Sequence, residues 1–231
     1  MDLALTGSAK PWAFDMDISV LCSDPLHPVV NHLRRWDSEM SPRGHRVRID
    51  HRKSDLPGGD VLFLVSCGEL IGKSDRQKYK ATLVLHASDL PKGRGWSPYV
   101  WAILAGASQI TVSLLEASEP VDSGAIWLKT QFTLEGHELL PEINAKLFEA
   151  ELSLMTKAVE QFESIQPNPQ LGDPGAYMAK RSPADSRIDP NKSVAEQFDL
   201  LRVADSARFP AFFDFRGQRY VIRIEKDMNA K

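Results

Sequence analysis

Cysteine is scarce in this 231-residue chain: Cys22 and Cys67 are the only two, and neither lies in a CxxC pair or a Cys/His cluster. That excludes a disulfide framework and a cysteine-based metal centre, leaving two semi-buried thiols suited to a reducing compartment. Charge of one sign is also lacking. Lys plus Arg total 28, Asp plus Glu total 31, and the net charge is −3, so no general attraction to nucleic acid is expected. No apolar run approaches the ~18 residues needed to cross a bilayer. The opening residues, MDLALTGSAKPWAFDMD, carry no basic stretch followed by a long apolar one. Internal repeats and low-complexity tracts are absent. These absences lead us to expect a soluble, cytoplasmic protein with no membrane partner and no metal.

What is present is an ordinary globular composition, 42% hydrophobic and 26% charged. Residues 1–15 read as a frayed lead-in. Ile18–Cys22, Val61–Val65, Thr82–His86, Ile110–Leu115 and Ala125–Leu134 are apolar, strand-like runs. Val61–Val65 is continuous enough for a central parallel strand, whereas His45–Ile49 alternates as an outer strand would. Helical spacing marks Pro28–Met40 and His137–Phe162, and a weaker helix is expected within Glu69–Lys78. Ser97 as N-cap and Pro98 at the first helical position open another helix through Ala105. Strand–helix alternation of this kind predicts an α/β fold with a doubly wound, mostly parallel sheet. A Pro-, Gly-, Asn- and Asp-rich segment then leads to a small C-terminal unit. Its capping box is Ser193–Glu196, Val194, Phe198 and Leu201 form one helical face, and a hairpin turns at Arg216-Gly217-Gln218.

Chemistry concentrates between Val84 and Ile126. His86 closes an apolar strand, Lys92 and Arg94 sit in the loop that follows, and Asp122 occupies an Asp-Ser-Gly turn. Ligands of open parallel sheets bind beyond the carboxyl ends of the strands, at the switch in strand order. The loop Cys67–Ile71 follows the neighbouring strand and is expected to border the same crevice. An acid or base, an anion-binding loop and a second carboxylate are what an acyl-transfer site needs. Taken singly, each residue has an ordinary structural use. Strand-end histidines are commonly just hydrogen-bonded, and Asp before Ser-Gly is common turn chemistry.

The joint pattern resembles the folate-dependent formyltransferase family of methionyl-tRNA, glycinamide-ribonucleotide and nucleotide-sugar formyltransferases. The residues that carry the resemblance are His86-Ala87-Ser88-Asp89-Leu90-Pro91-Lys92-Gly93-Arg94-Gly95-Trp96-Ser97-Pro98, then Trp101-Ala102-Ile103, Gly106 and Asp122-Ser123-Gly124. It covers roughly residues 16–160. The resemblance implies a Rossmann-like catalytic domain over 1–164, a linker over 165–187 and a small helix-plus-hairpin subdomain over 188–231. It further implies transfer of a formyl group from 10-formyltetrahydrofolate, the co-substrate, to an amine. His86 is then the general acid/base, whose imidazolium also stabilises the oxyanion, and Asp122 favours that protonated form and relays the proton. Glu69, Leu70, Ile71, Ser118, Val121 and Asp122 are the implied folate contacts. One departure stands out: the family's asparagine, an oxyanion hydrogen-bond donor two residues before the histidine, is Val84 here. Ser88, a backbone amide or a water is expected to take its place.

Which amine is formylated is read from the rest of the chain. Residues 180–231 hold 11 basic and 8 acidic side chains, a poor phosphate-backbone surface. The C-terminal segments and the variant loop LPKGRGWSP are more like those of amino-sugar nucleotide N-formyltransferases. Lys92, Arg94 and the start of the following helix are suited to a diphosphate, and Trp96, Phe209 or Phe213 to stacking on a base. Ser88, Lys92, Arg94, Gly95 and Trp96 are therefore the expected acceptor contacts. Formylation of methionyl-tRNA, or a catalytically weak folate- or sugar-binding relic, are the alternatives. A homodimer is compatible with the sequence without being required by it.

Overall fold

The computed structural model describes residues 15–227, so most of the expected lead-in at 1–15 lies outside the described residues. Six strands form the main sheet: β1 (Asp17–Leu21), β2 (Arg46–Asp50), β3 (Gly59–Leu64), β4 (Tyr79–His86), β5 (Gln109–Glu116) and β6 (Ile126–Thr133). Their order is β2-β1-β3-β4-β5-β6. The pairs β1–β2, β1–β3 and β3–β4 are parallel, and β5–β6 is antiparallel with an irregularity at Leu114/Leu115. The mostly parallel, Rossmann-like sheet expected from the sequence is therefore observed. β2 is an edge strand, as its alternation requires, and the last four residues of β3 are buried.

Helix α1 (Val29–Met40) buries Val29, Val30, Leu33, Trp36 and Met40, each such side chain contributing about 1.5–3 kcal/mol over exposure. Trp36 meets Phe63 edge-on and donates its indole N–H to Thr156 Oγ1 at 2.8 Å. The helix expected within Glu69–Lys78 is reduced to one turn, α2 (Lys73–Arg76). Gly72, extended at φ −77 and ψ 173, is the cap at which this helix begins, and no apolar stripe carries the helix back to Glu69. α3 (Pro98–Leu104) and α4 (Leu140–Glu160) follow the spacing of the sequence closely.

The described residues divide into two compact units, 15–84 with 155–165 and 85–154 with 166–227. In the second unit Val100, Ile103, Ile110, Leu134, Ile143 and Val203 form one core cluster, and Ile188, Leu201 and Ala211 another. Ser193 and Glu196 make the expected reciprocal capping box, which leads through a 3₁₀ turn into α5 (Phe198–Arg202). Val194 departs from expectation. It is 68% exposed rather than on the buried face with Leu201, because the intervening 3₁₀ turn shifts its direction relative to α5. Strands β7 (Ala211–Phe215) and β8 (Gln218–Ile222) form the hairpin. Arg216 and Gly217 both have positive φ, the geometry of a tight type I′ turn.

Candidate functional site

His86 ends β4 and is buried. This carboxyl end lies one strand away from the reversal of strand order at β1/β3, rather than at the reversal itself. His86 Nε2 lies 2.8 Å from the Gly93 carbonyl. Because a carbonyl only accepts, Nε2 carries the proton of that bond and Nδ1 is the ring atom left to exchange one. Nδ1 faces Asp122 Oδ1 at 3.7 Å, and both side chains are buried. Asp122 Oδ2 accepts the Gly95 amide at 2.9 Å. The structure therefore brings His86, Asp122 and Gly95 together.

Backbone geometry explains why these residues sit in Gly-rich loops. Asp122 takes φ 60, a left-handed conformation that Asp tolerates better than most residues. The glycine of the Asp-Ser-Gly turn has a steric reason as well: a Cβ on Gly124 would collide with the Glu116 carbonyl oxygen. Gly95 has φ 111, and a Cβ there would run into the Met178 backbone. The turn is closed by Ser123 Oγ donating to the Pro120 carbonyl at 2.6 Å and by Ser118 Oγ lying 3.0 Å from Ser123 Oγ. Val121 stands 47% exposed on this loop.

Ser88 Oγ is enclosed and has no hydrogen-bond partner among the described residues, while the Ser88 carbonyl accepts from Ser113 Oγ at 2.7 Å. Lys92 is exposed and Arg94 half-buried. Trp96 is 40% exposed, with Lys180 Nζ 4.6 Å from its ring centre. Ser97 occupies the cap position but not the expected cap. It lies at φ 47, ψ 49, outside the extended conformation usual for an N-cap, and its side chain makes no capping bond. The seven-residue α3 thus lacks the capped start on which the diphosphate expectation partly relied. In the first unit, Ile71 is buried and Leu70 is 69% exposed. Lys53 donates from its amide to Glu69 Oε1 and from Nζ to the Leu70 carbonyl.

Residues 165–187 have the composition of a linker and no site motif. In the structure Asn168 bridges to Ile126 and Met178 to Gly95, and Trp101 Nε1 donates to the Ala179 carbonyl. Gln170 Nε2 donates to the carbonyls of Asp122 (2.8 Å) and Gly124 (2.9 Å), while its Oε1 accepts from Arg94 Nη2 (3.0 Å). A glutamine in a Pro- and Gly-rich stretch carries no pattern that would have revealed this. Among the described residues, no group of three or more His, Cys, Asp or Glu side chains is arranged to hold a metal ion, and no helix is long and apolar enough to cross a membrane.

Comparison with known proteins bears on the same stretch. Residues 27–159 match the formyl transferase family. A methionyl-tRNA formyltransferase from Rhizobium meliloti (strain 1021) is 31% identical over 214 residues, 88% of this chain and 66% of that protein. The chain spans 43% to 66% of the length of the first curated relatives it matches. Among solved structures, HypX from Aquifex aeolicus in complex with tetrahydrofolic acid superimposes with a TM-score of 0.76 at 23% identity, over 94% of this chain and 40% of that one. A sugar N-formyltransferase from a Shewanella species gives 0.68 at 14% identity, over 93% and 99%. At these identities the structural likeness shows the fold.

Proposed function

This chain belongs to the formyl transferase family, and from that premise we propose that it moves a formyl group from 10-formyltetrahydrofolate to the amine of a nucleotide-linked amino-deoxysugar. The observation that carries the reading is the buried pair His86–Asp122, with Nε2 engaged by the Gly93 carbonyl and Nδ1 turned to the carboxylate. In the proposed reaction the acceptor amine attacks the formyl carbon, forming the new C–N bond and a tetrahedral oxyanion. The amine proton passes to the His86–Asp122 pair, the bond from the formyl carbon to folate N10 breaks, and N10 takes up a proton. His86 and Asp122 serve as the acid/base pair, and a protonated His86 opposes the oxyanion's charge. Ser118, Val121 and Asp122 are proposed folate contacts. Glu69, Leu70 and Ile71 are proposed ones on the resemblance alone. Ser88, Lys92, Arg94, Gly95 and Trp96 are proposed for the acceptor.

Charge supports the sugar reading over the tRNA one. In the C-terminal residues Asp214 pairs with both Arg187 and Arg219, Asp205 with Arg208, Asp199 with Arg202, and Lys226 reaches Glu142. Cations already matched by carboxylates release fewer counterions on meeting a phosphate backbone. Methionyl-tRNA as the amine is the second reading, and the Rhizobium meliloti relative speaks for it. The test supplies 10-formyltetrahydrofolate with either nucleotide-linked amino sugars or methionyl-tRNA and follows tetrahydrofolate release. Release with a sugar nucleotide alone supports the proposal. Release only with tRNA, with binding that weakens steeply in salt, supports the second reading. Absence of release with either acceptor supports a binding relic.

A further inference from the structure

We propose that Gln170 is a positioning residue that locks Arg94 and the Asp122 turn into one unit, so that the acceptor's anionic group and the acid/base carboxylate are set in place together. The inference rests on the reading that Asp122 takes part in formyl transfer, and it adds a residue outside the resembling motifs. One carboxamide makes three bonds at once: two from Nε2, to the carbonyls of Asp122 and Gly124, and one at Oε1 from Arg94 Nη2. Only an amide has this combination of two donors and an acceptor; a carboxylate or an alkyl chain does not.

The carbonyls it binds belong to a turn whose Asp122 lies at φ 60 and whose Gly124 has no room for a Cβ beside the Glu116 carbonyl. Without its donors, such a turn has cheaper conformations available. Gln170 is itself held in register. Two residues before it, Asn168 exchanges both backbone hydrogen bonds with Ile126, at 2.9 and 2.7 Å, just beyond the turn. Arg94 therefore joins the Asp122 turn twice, through Gln170 and through the amide of the next residue, Gly95, on Asp122 Oδ2. A displacement of about 1 Å in a catalytic group can cost a large factor in rate, which gives the clamp its functional consequence.

Gln170→Ala and Gln170→Glu separate the two halves of the clamp. Gln170→Glu keeps an acceptor for Arg94 but cannot donate to the Asp122 and Gly124 carbonyls. Its kcat is expected to fall about tenfold while the acceptor KM stays near wild type. Gln170→Ala is expected to lose as much kcat and also to raise the acceptor KM severalfold. In an Asp122→Ala background, Gln170→Glu should cost nothing further. A second measurement does not depend on turnover: amide hydrogen exchange at Gly95 should speed up about tenfold in Gln170→Ala, with β1 and β3 amides unchanged. Unchanged Gly95 exchange, or equal and parallel effects of both substitutions on kcat and KM, overturns the clamp. If the wild-type protein formylates no amine, the reading beneath it fails, and the exchange result still decides whether Gln170 holds the turn.

Discussion

In the stretch from His86 to Gly124 the His86 and Asp122 side chains are buried and bonded to loop backbone groups, whereas hairpin β7–β8 leaves large aromatic surface in solvent. Asp122 and His86 are each about 7% exposed, and the Asp122 side chain takes the Gly95 amide. In the hairpin, Phe215, Tyr220 and Val221 are each nearly half exposed. Phe213 stacks on Tyr220 at 5.3 Å, and Arg219 lies over Phe212 at 4.0 Å. The first region is held by hydrogen bonds and by glycines with no room for a side chain, as the proposed proton transfer requires. The second holds these side chains at an open surface. The contrast places proposed chemistry in one stretch and tolerance in the other.

The strongest attempt to break the contrast is His86→Ala. Formyl transfer is expected to fall about 10³-fold, measured as tetrahydrofolate release, with circular dichroism unchanged. Next comes Val84→Asn, which restores the donor that the resemblance implies at that position of β4. Its kcat is expected to rise about 10- to 100-fold in the same assay, and an unchanged rate means that another group already serves the oxyanion.

Glu151 sharpens the contrast from a third place. It is as buried as Asp122, yet its Oε2 has no hydrogen-bond partner among the described residues. Burial pushes its carboxyl from 4.5 up to about 8. Between those values the folded protein keeps a proton that the unfolded chain has released, so stability falls as pH rises through this window. Glu151→Gln removes that slope. Its gain in Tm, followed by thermal denaturation, is expected to be small near pH 5 and to grow toward pH 8. An equal gain at both pH values contradicts this. The smallest effect belongs to the hairpin: Phe215→Ser should leave stability within about 0.5 kcal/mol by urea titration.

Much of this was legible in the sequence because it is periodic or punctuated. The run Val61–Val65 read as a buried parallel strand, the capping box at Ser193 read as a helix start, and His86 and Asp122 stood out through their spacing. What escaped was non-local. Nothing at Gly124 announces the Glu116 carbonyl behind it, and nothing at Gln170 announces three partners in two other loops. Ser97 looked like a cap because Ser precedes Pro at many helix starts, yet loop geometry gave it a left-handed conformation. The weak helical spacing of residues 69–78 does not show that Gly72 is extended, which confines the helix to Lys73–Arg76.

Asp122→Asn tests most directly whether Asp122 acts with His86. Asparagine keeps an oxygen for the Gly95 amide and about the same volume, so the turn should survive while the charge is lost. Single-turnover formyl transfer is expected to slow about 100-fold with folate and acceptor binding unchanged. A variant that transfers formyl within about twofold of the wild-type rate would contradict the role assigned to this pair.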